Sequence, residues 1–327
     1  MNLRVRHLLA YATAMIALMV WQMIFTATPF STLSDFNMDA VYTLVSQIVC
    51  MGVLPFVVLT VASKGNIAGN FRLMRYKEPR DAKTCLFVSL GLMLLITPFT
   101  MVFNALTNLL FSIIGYKRGF PVGTIYSGPG DFFLMLALTA LLPAVFEEFS
   151  HRGVLLSGLE HRGSEMSAVI LSAVMFGLMH ANPAQMIYAT FGGLVFAVAV
   201  VKTDSIIPAM CAHFANNAVS VILDYSTQKQ NALGVWFDRM TGSTSVLSLG
   251  VTFLVLGLSL FGIVRLLQYA ARKAPKPISE KKLLGIVTLD VYRQDGKATL
   301  RDNAILYALI IAESFLLFGL LIWGILK

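Results

Sequence analysis

Three short stretches of this sequence hold the side chains able to do chemistry. They are Phe146-Glu147-Glu148-Phe149-Ser150-His151-Arg152-Gly153, Phe176-Gly177-Leu178-Met179-His180 and His213-Phe214-Ala215-Asn216-Asn217. Each lies in an apolar run, where a carboxylate, imidazole or guanidinium is costly and calls for a partner or a function. A carboxylate beside an imidazole in a low-dielectric site can take a proton from water and later return it to a leaving amine. Burial moves a carboxyl group towards the range a general base needs. A His and an Asn side by side can donate hydrogen bonds to a developing oxyanion, each donor worth roughly 3–4 kcal/mol. No Ser or Cys stands in an obvious nucleophile motif.

Local spacing sorts these residues further. Glu148 and Arg152 are four apart with the glutamate first, the favourable direction for an ion pair along a helix. Their pairing would neutralise two charges that lipid would not tolerate singly. His213 and Asn217 share the same spacing and hence one helix face, and Phe176 stands one turn before His180, placed to fix the imidazole rotamer. The polar stretch Glu160-His161-Arg162-Gly163-Ser164-Glu165 reads as a turn between two helices. Glu147 lies ~16 residues before its centre and His180 ~16 after it, so both sit roughly 24 Å along antiparallel helices, at one level. His213 lies only ~10 residues, or roughly 15 Å, beyond the Lys202–Asp204 turn. Tilt, a kink near Pro208 or the break at Asn182-Pro183 would have to bring it level.

The elements that must position these groups are membrane helices. Of 327 residues, 57% are hydrophobic and 13% charged, with a mean hydropathy of +0.75; soluble domains carry about 25% charged residues. Runs of about 20 apolar residues suit a bilayer core, and only helices satisfy their own backbone there. The expected fold is an all-α polytopic membrane helical bundle of about eight or nine spans: 8–28, 40–62, 85–114, 132–160, 167–181, 184–201, 206–224, 246–270 and 304–326. Pro98 and Asn104 are placed to kink or split the third. Arg4 and Arg6 ahead of an apolar run resemble the start of a signal peptide, but the run is too long for a cleaved one; a retained first helix is expected. Cys50, Cys85 and Cys211 lie within apolar runs and read as small buried hydrophobes without disulfides.

The net charge of +8 concentrates in segments 64–83 and 272–301. Basic loops stay cytoplasmic, which puts both segments, Lys202 and the N-terminus on that side, and the loops 116–130 and 225–245 outside. Juxtamembrane position makes anionic lipid, not nucleic acid, the partner of these charges. The chain reads as a single membrane domain, 1–327, with a chemical core at 131–224 and a basic cytoplasmic loop at 272–302. The loop's alternating Ile286–Leu300 stretch suggests a small hairpin turning at Asp295-Gly296.

Glu147-Glu148-x-x-x-Arg152, Phe176-x-x-x-His180 and His213-x-x-x-Asn217 resemble the three signature motifs of the CPBP family, which includes the type II CAAX-processing endopeptidases and bacteriocin-immunity relatives. The resemblance covers about residues 131–224. It implies an intramembrane endopeptidase cutting near the C-terminal or juxtamembrane end of a membrane-bound, CAAX-type peptide, in a cavity open to the cytoplasm or sideways to lipid. Glu147 would activate water with help from His180, His213 and Asn217 would form the oxyanion site, and Glu148, Arg152 and Phe176 would support them. His151 departs from the family, which usually has a large aromatic before the arginine; four residues after Glu147, it is placed to touch the base. No cofactor is favoured. Zinc held by Glu147, His180 and His213 is the alternative, although the His-Glu-x-x-His spacing of zincins is missing. A bacterial plasma membrane fits the short loops and basic face.

Blander roles stand beside these. His151 and His161 read as loop or interfacial residues, Asn216 as helix–helix glue, and Glu313 as a mid-span carboxyl with no nameable partner. The rival functions are a non-catalytic membrane protein that binds a bacteriocin or sensor-kinase partner, and a proton-coupled transporter.

Overall fold

In a computed structural model, residues 2–27, 35–116, 125–242, 246–291 and 298–326 are described. The chain forms α1 (Leu3–Ala27), α2 (35–62), the short α3 (Ile67–Leu73), α4 (Ala82–Ile113), α5 (Pro129–Glu160), α6 (Glu165–Leu178), α7 (Pro183–Thr203), α8 (Ile207–Gln228), α9 (Ala232–Gly242), α10 (Val246–Lys273), the hairpin β1 (Glu280–Leu283) and β2 (Val287–Asp290), and α11 (Leu300–Leu326). Among the described residues, seven helices are long and apolar enough to cross a membrane. The expected spans 167–181 and 206–224 appear as α6, which is short, and α8, which is more polar. The protein is an all-α integral membrane bundle. The third span is not split: α4 runs unbroken through Pro98 and Asn104, since neighbouring groups in a bundle can satisfy what proline frees.

Two helices carry widened, π-type turns, at 45–53 and at 136–141 and 149–156. Proline follows the first two, at Pro55 and Pro143. Wide turns often mark functional positions because they rotate the side chains that follow. Through 149–156 every residue is buried, polar ones included.

Caps fix where helices begin. The Asp81 carboxylate accepts from Lys83 N and Thr84 N at the start of α4. Ser164 and Ser167 form a reciprocal box at the start of α6. Asn182 accepts from Ala184 N and Gln185 N, with Pro183 in the first turn of α7. Between α6 and α7 the chain reverses at Ala181, which takes φ +49°.

One end of the bundle collects the basic segments, as their common side requires. Arg75 binds Glu160 at 2.8 Å and Asp204 at 3.2 Å, and Lys77 binds Asp204 at 2.7 Å. Burial would lower the Arg75 guanidinium, but Glu160 and Asp204 outweigh it and hold it above its ordinary value. Lys202 meets Glu165 at 2.7 Å, and the same carboxylate receives the Asp290 N–H of the hairpin. Arg4 reaches the carbonyls of Leu159 and His161 and the side chain of Asn303, so α1 is built into the bundle. The hairpin itself differs from the expected one. β2 pairs with the residues before it, Glu280 opposite Asp290 and Leu283 opposite Val287. The turn is Leu284-Gly285, both at positive φ, the conformation that tight hairpins need. The expected turn at Asp295-Gly296 lies outside the described residues.

Close approach of α6 and α7 depends on Gly177. A Cβ there would stand 2.7 Å from the Met186 carbonyl and closer still to the Thr190 hydroxyl. Gly177→Ala is expected to destabilise by about 1–3 kcal/mol through overpacking, read as a lower melting temperature in detergent.

Candidate active site

Glu147 is nearly buried on α5, and one of its carboxylate oxygens is held from an unexpected quarter. Gln47, on the wide turn of α2, donates from Nε2 to Glu147 Oε1 at 2.8 Å. The other oxygen, Oε2, faces His213 Nε2 at 3.8 Å. His213 is aimed by Glu148, whose Oε1 accepts from His213 Nδ1 at 2.8 Å. Glu148 is in turn paired with Arg152 at 3.0 Å, and neither side chain is exposed at all. Arg152 also donates to the Gly193 carbonyl at 3.2 Å. The expected Glu148–Arg152 pair is thus present and does more than cancel charge: it fixes the imidazole of His213.

Phe176 is the hub of the cluster. Its ring centroid lies 5.1 Å from those of His151 and His180 and 5.8 Å from that of His213. The Arg152 guanidinium lies 4.1 Å from the same centroid, a contact that strengthens when desolvated. Packing of Phe176 on His180 was legible from their spacing; its contact with the other three was not. His180 donates from Nδ1 to the Phe176 carbonyl at 2.7 Å, which leaves Nε2 as the atom open to other partners.

Glu147, Phe176, His180, His213 and Asn217 all line one cavity of about 260 Å³, shared with Thr100, Asn104, Gln185, Tyr188, Asn216 and Ser220. The level match of Glu147 and His180 holds in this sense, although the two make no direct hydrogen bond. His213 reaches the same level despite its shorter distance from the turn. Asn217 donates from Nδ2 to the Thr139 carbonyl at 3.1 Å and accepts from Asn216, and one N–H of its amide remains. Asn216 accepts from the Thr100 hydroxyl across α8 and α4, the helix-joining role expected of it.

His151 is neither loop nor interfacial. It is fully buried within α5, donating from Nδ1 to the Glu147 backbone carbonyl at 3.0 Å. Its Nε2 accepts from the Tyr11 hydroxyl at 3.0 Å. The wide turn that follows Glu147 carries it inward, so it supports the backbone of Glu147 and not the carboxylate. Glu313 is buried on α11, and its Oε2 has no hydrogen-bond partner.

Among the described residues no group of three His, Cys, Asp or Glu side chains is placed to hold a metal ion. His213 gives Nδ1 to Glu148 and His180 gives Nδ1 to a carbonyl, so Nε2 is the nitrogen that each turns to other partners. Gln47, Tyr11 and Thr139 were missed by sequence reasoning. Gln47 alone left a signal, as an amide in the middle of an apolar run.

Residues 129–219 match the family model described as Type II CAAX prenyl endopeptidase Rce1-like. No curated protein and no solved structure matches the chain.

Proposed function

We propose that this chain, whose residues 129–219 match the family model of the type II CAAX prenyl endopeptidases, hydrolyses peptide bonds within the membrane with Glu147 as general base. The observation that carries this reading is the meeting of Glu147, His180, His213 and Asn217 on one buried cavity, with Glu147 Oε2 3.8 Å from His213 Nε2. The substrate is a membrane-bound peptide cut near its C-terminal or juxtamembrane end. The prenylated cysteine peptides of the CAAX branch belong to that class.

In the proposed reaction a water sits against Glu147 Oε2 and is oriented by the hydrogen bond it donates to His180 Nε2. Glu147 takes one of its protons, and the hydroxide forms a bond to the carbonyl carbon of the scissile peptide. The oxyanion is received by the remaining amide N–H of Asn217 and by Nε2–H of His213 in its imidazolium form, whose Nδ1–H stays on Glu148. Collapse breaks the C–N bond, and Glu147 returns its proton to the departing amine. The products are a carboxylic acid and an amine, and the base is restored. Glu148 and Arg152 act through His213, and Gln47 acts by holding Glu147.

Each role has an expected consequence. Gln47→Leu leaves Glu147 Oε1 without its donor. It is expected to lower kcat about ten- to a hundredfold at nearly unchanged KM, the equivalent of the ~1.5–3 kcal/mol of a hydrogen bond to a charged group. Because no step runs through a metal, dialysis against EDTA and 1,10-phenanthroline is expected to leave activity within about twofold; loss of activity restored by zinc would reverse this mechanism.

The deciding experiment is a comparison of new peptide C-termini, by mass spectrometry, in membranes from cells expressing wild type or Glu147→Ala at matched levels. Termini found only with wild type establish proteolysis and name the substrate. Identical sets from two folded proteins would move the reading to a non-catalytic binding protein. We place the basic end in the cytoplasm of a bacterial plasma membrane, with the N-terminus beside it, by the bias of lysine and arginine.

A further inference from the structure

We infer that the cavity is entered from the face opposite the basic loops, so that the substrate is an uncharged, extracytoplasmic juxtamembrane segment of a membrane-anchored peptide. The inference rests on the proteolytic reading above and adds the side from which the peptide comes.

The two directions leading away from Glu147 along the bundle are unlike. Towards the basic end, α5 is closed: Glu148, Ser150, His151, Arg152, Val154, Leu155 and Leu156 are all 0% exposed. On α7, the stretch from Phe196 to Thr203, which leads to the same end, is buried throughout. On α8, Ala209 and Ala212 are 0% exposed. The Arg152–Glu148–His213 chain and these packed residues form a plug between the site and the basic face.

Every helix that lines the cavity does so on the other side. α8 contributes His213, Asn216, Asn217 and Ser220, in order away from its start beside Asp204. Exposure rises along that series, from buried His213 through half-buried Asn216 and Asn217 to exposed Ser220. α7 contributes Gln185, Tyr188, Ala189 and Gly192, all nearer its beginning than the Lys202 end, with Phe196 at the floor beyond its midpoint. α4 contributes Thr100, Met101 and Asn104, beyond its midpoint from Asp81, and α5 contributes Pro143 ahead of Glu147. Four helices thus agree on the direction, which a single tilted helix could not produce.

The lining also limits what enters. Apart from Glu147 and the two imidazoles, the polar groups around it are amides and hydroxyls: Asn104, Gln185, Tyr188, Asn216 and Ser220 beside Thr100. Such neutral donors and acceptors suit the N–H and C=O groups of an extended backbone. Among the described lining residues none is a lysine or arginine, the groups that capture a carboxylate by charge. An extended juxtamembrane stretch needs no such cation, and an acidic side chain would meet Glu147 with repulsion.

Cysteine labelling tests the direction without any need for activity. In a background lacking Cys50, Cys85 and Cys211, Ser220→Cys marks the mouth and Lys281→Cys, on the exposed hairpin, marks the basic face. A membrane-impermeant maleimide is expected to label Ser220→Cys at least tenfold faster in right-side-out than in inside-out vesicles, and Lys281→Cys in the reverse sense. Labelling of both from the same side overturns the inference and leaves proteolysis standing. The peptide side is read from the Glu147-dependent C-termini, mapped on the topology of the proteins that yield them. Cuts in extracytoplasmic juxtamembrane segments support the inference, and cuts confined to cytoplasmic segments overturn it. If no terminus depends on Glu147, proteolysis fails and the substrate inference falls with it, whatever the labelling gives.

Discussion

Glu147→Gln is expected to lower kcat at least about a thousandfold while leaving KM and the melting temperature nearly unchanged. The substitution keeps the shape of the side chain, so Gln47 can still donate to the remaining carbonyl oxygen, as it does at 2.8 Å to Glu147 Oε1. What is lost is the basicity of the group and its capacity to carry a proton from water to the amine. General acid–base catalysis is worth about 10²–10⁴-fold, and here one group serves both transfers. Steady-state kinetics on a substrate found by the C-terminus comparison, with thermal unfolding of the same preparations, separate the two effects. A variant that retains more than about a tenth of wild-type kcat would take the general-base role away from Glu147. The Glu148–His213 pair would then be next in line, since its imidazole lines the same cavity, 3.8 Å from the carboxylate of residue 147.

The second large effect is on the fold and belongs to Arg152. Its guanidinium is fully buried, paired with Glu148, bonded to the Gly193 carbonyl and laid 4.1 Å from the Phe176 centroid. Arg152→Met removes the only cation facing Glu148 from its own helix and leaves an uncompensated carboxylate in the core. Breaking a buried pair from one side costs about 3–5 kcal/mol, enough to leave much of a marginally stable protein unfolded. Low yield in detergent and a strongly reduced melting temperature are expected. The control is the double variant Arg152→Met with Glu148→Gln, which removes both charges. It is expected to regain most of the stability but not the activity, because His213 loses the carboxylate that aims it. A double variant as unstable as the single one would mean that Arg152 acts through its aromatic and carbonyl contacts and not through charge.

The membrane class of this protein was legible in its composition, because a bilayer admits only long apolar helices and the chain offers them in order. Helical spacing sufficed wherever both partners lie on one helix: Glu148 with Arg152, and Phe176 with His180, stand four apart and meet as that interval requires. The capped turn at Asn182-Pro183 and the shared side of the basic segments were readable for the same reason, being consequences of short sequence patterns and of charge. A hairpin not foreseen forms at Leu284-Gly285, because alternation alone does not say which neighbour a strand will choose.

By itself, then, the sequence determined which polar side chains lie within the apolar helices, the type of element that bears them and the end of the bundle where positive charge gathers. Tertiary structure alone decided that Gln47, 100 residues away, holds Glu147, that Glu148 aims His213, and that His151 turns inward to Tyr11. The physical reason is that contacts between helices depend on rotation and depth, which periodicity does not encode. The wide turns at 45–53 and 149–156 shift that rotation just where the site is assembled.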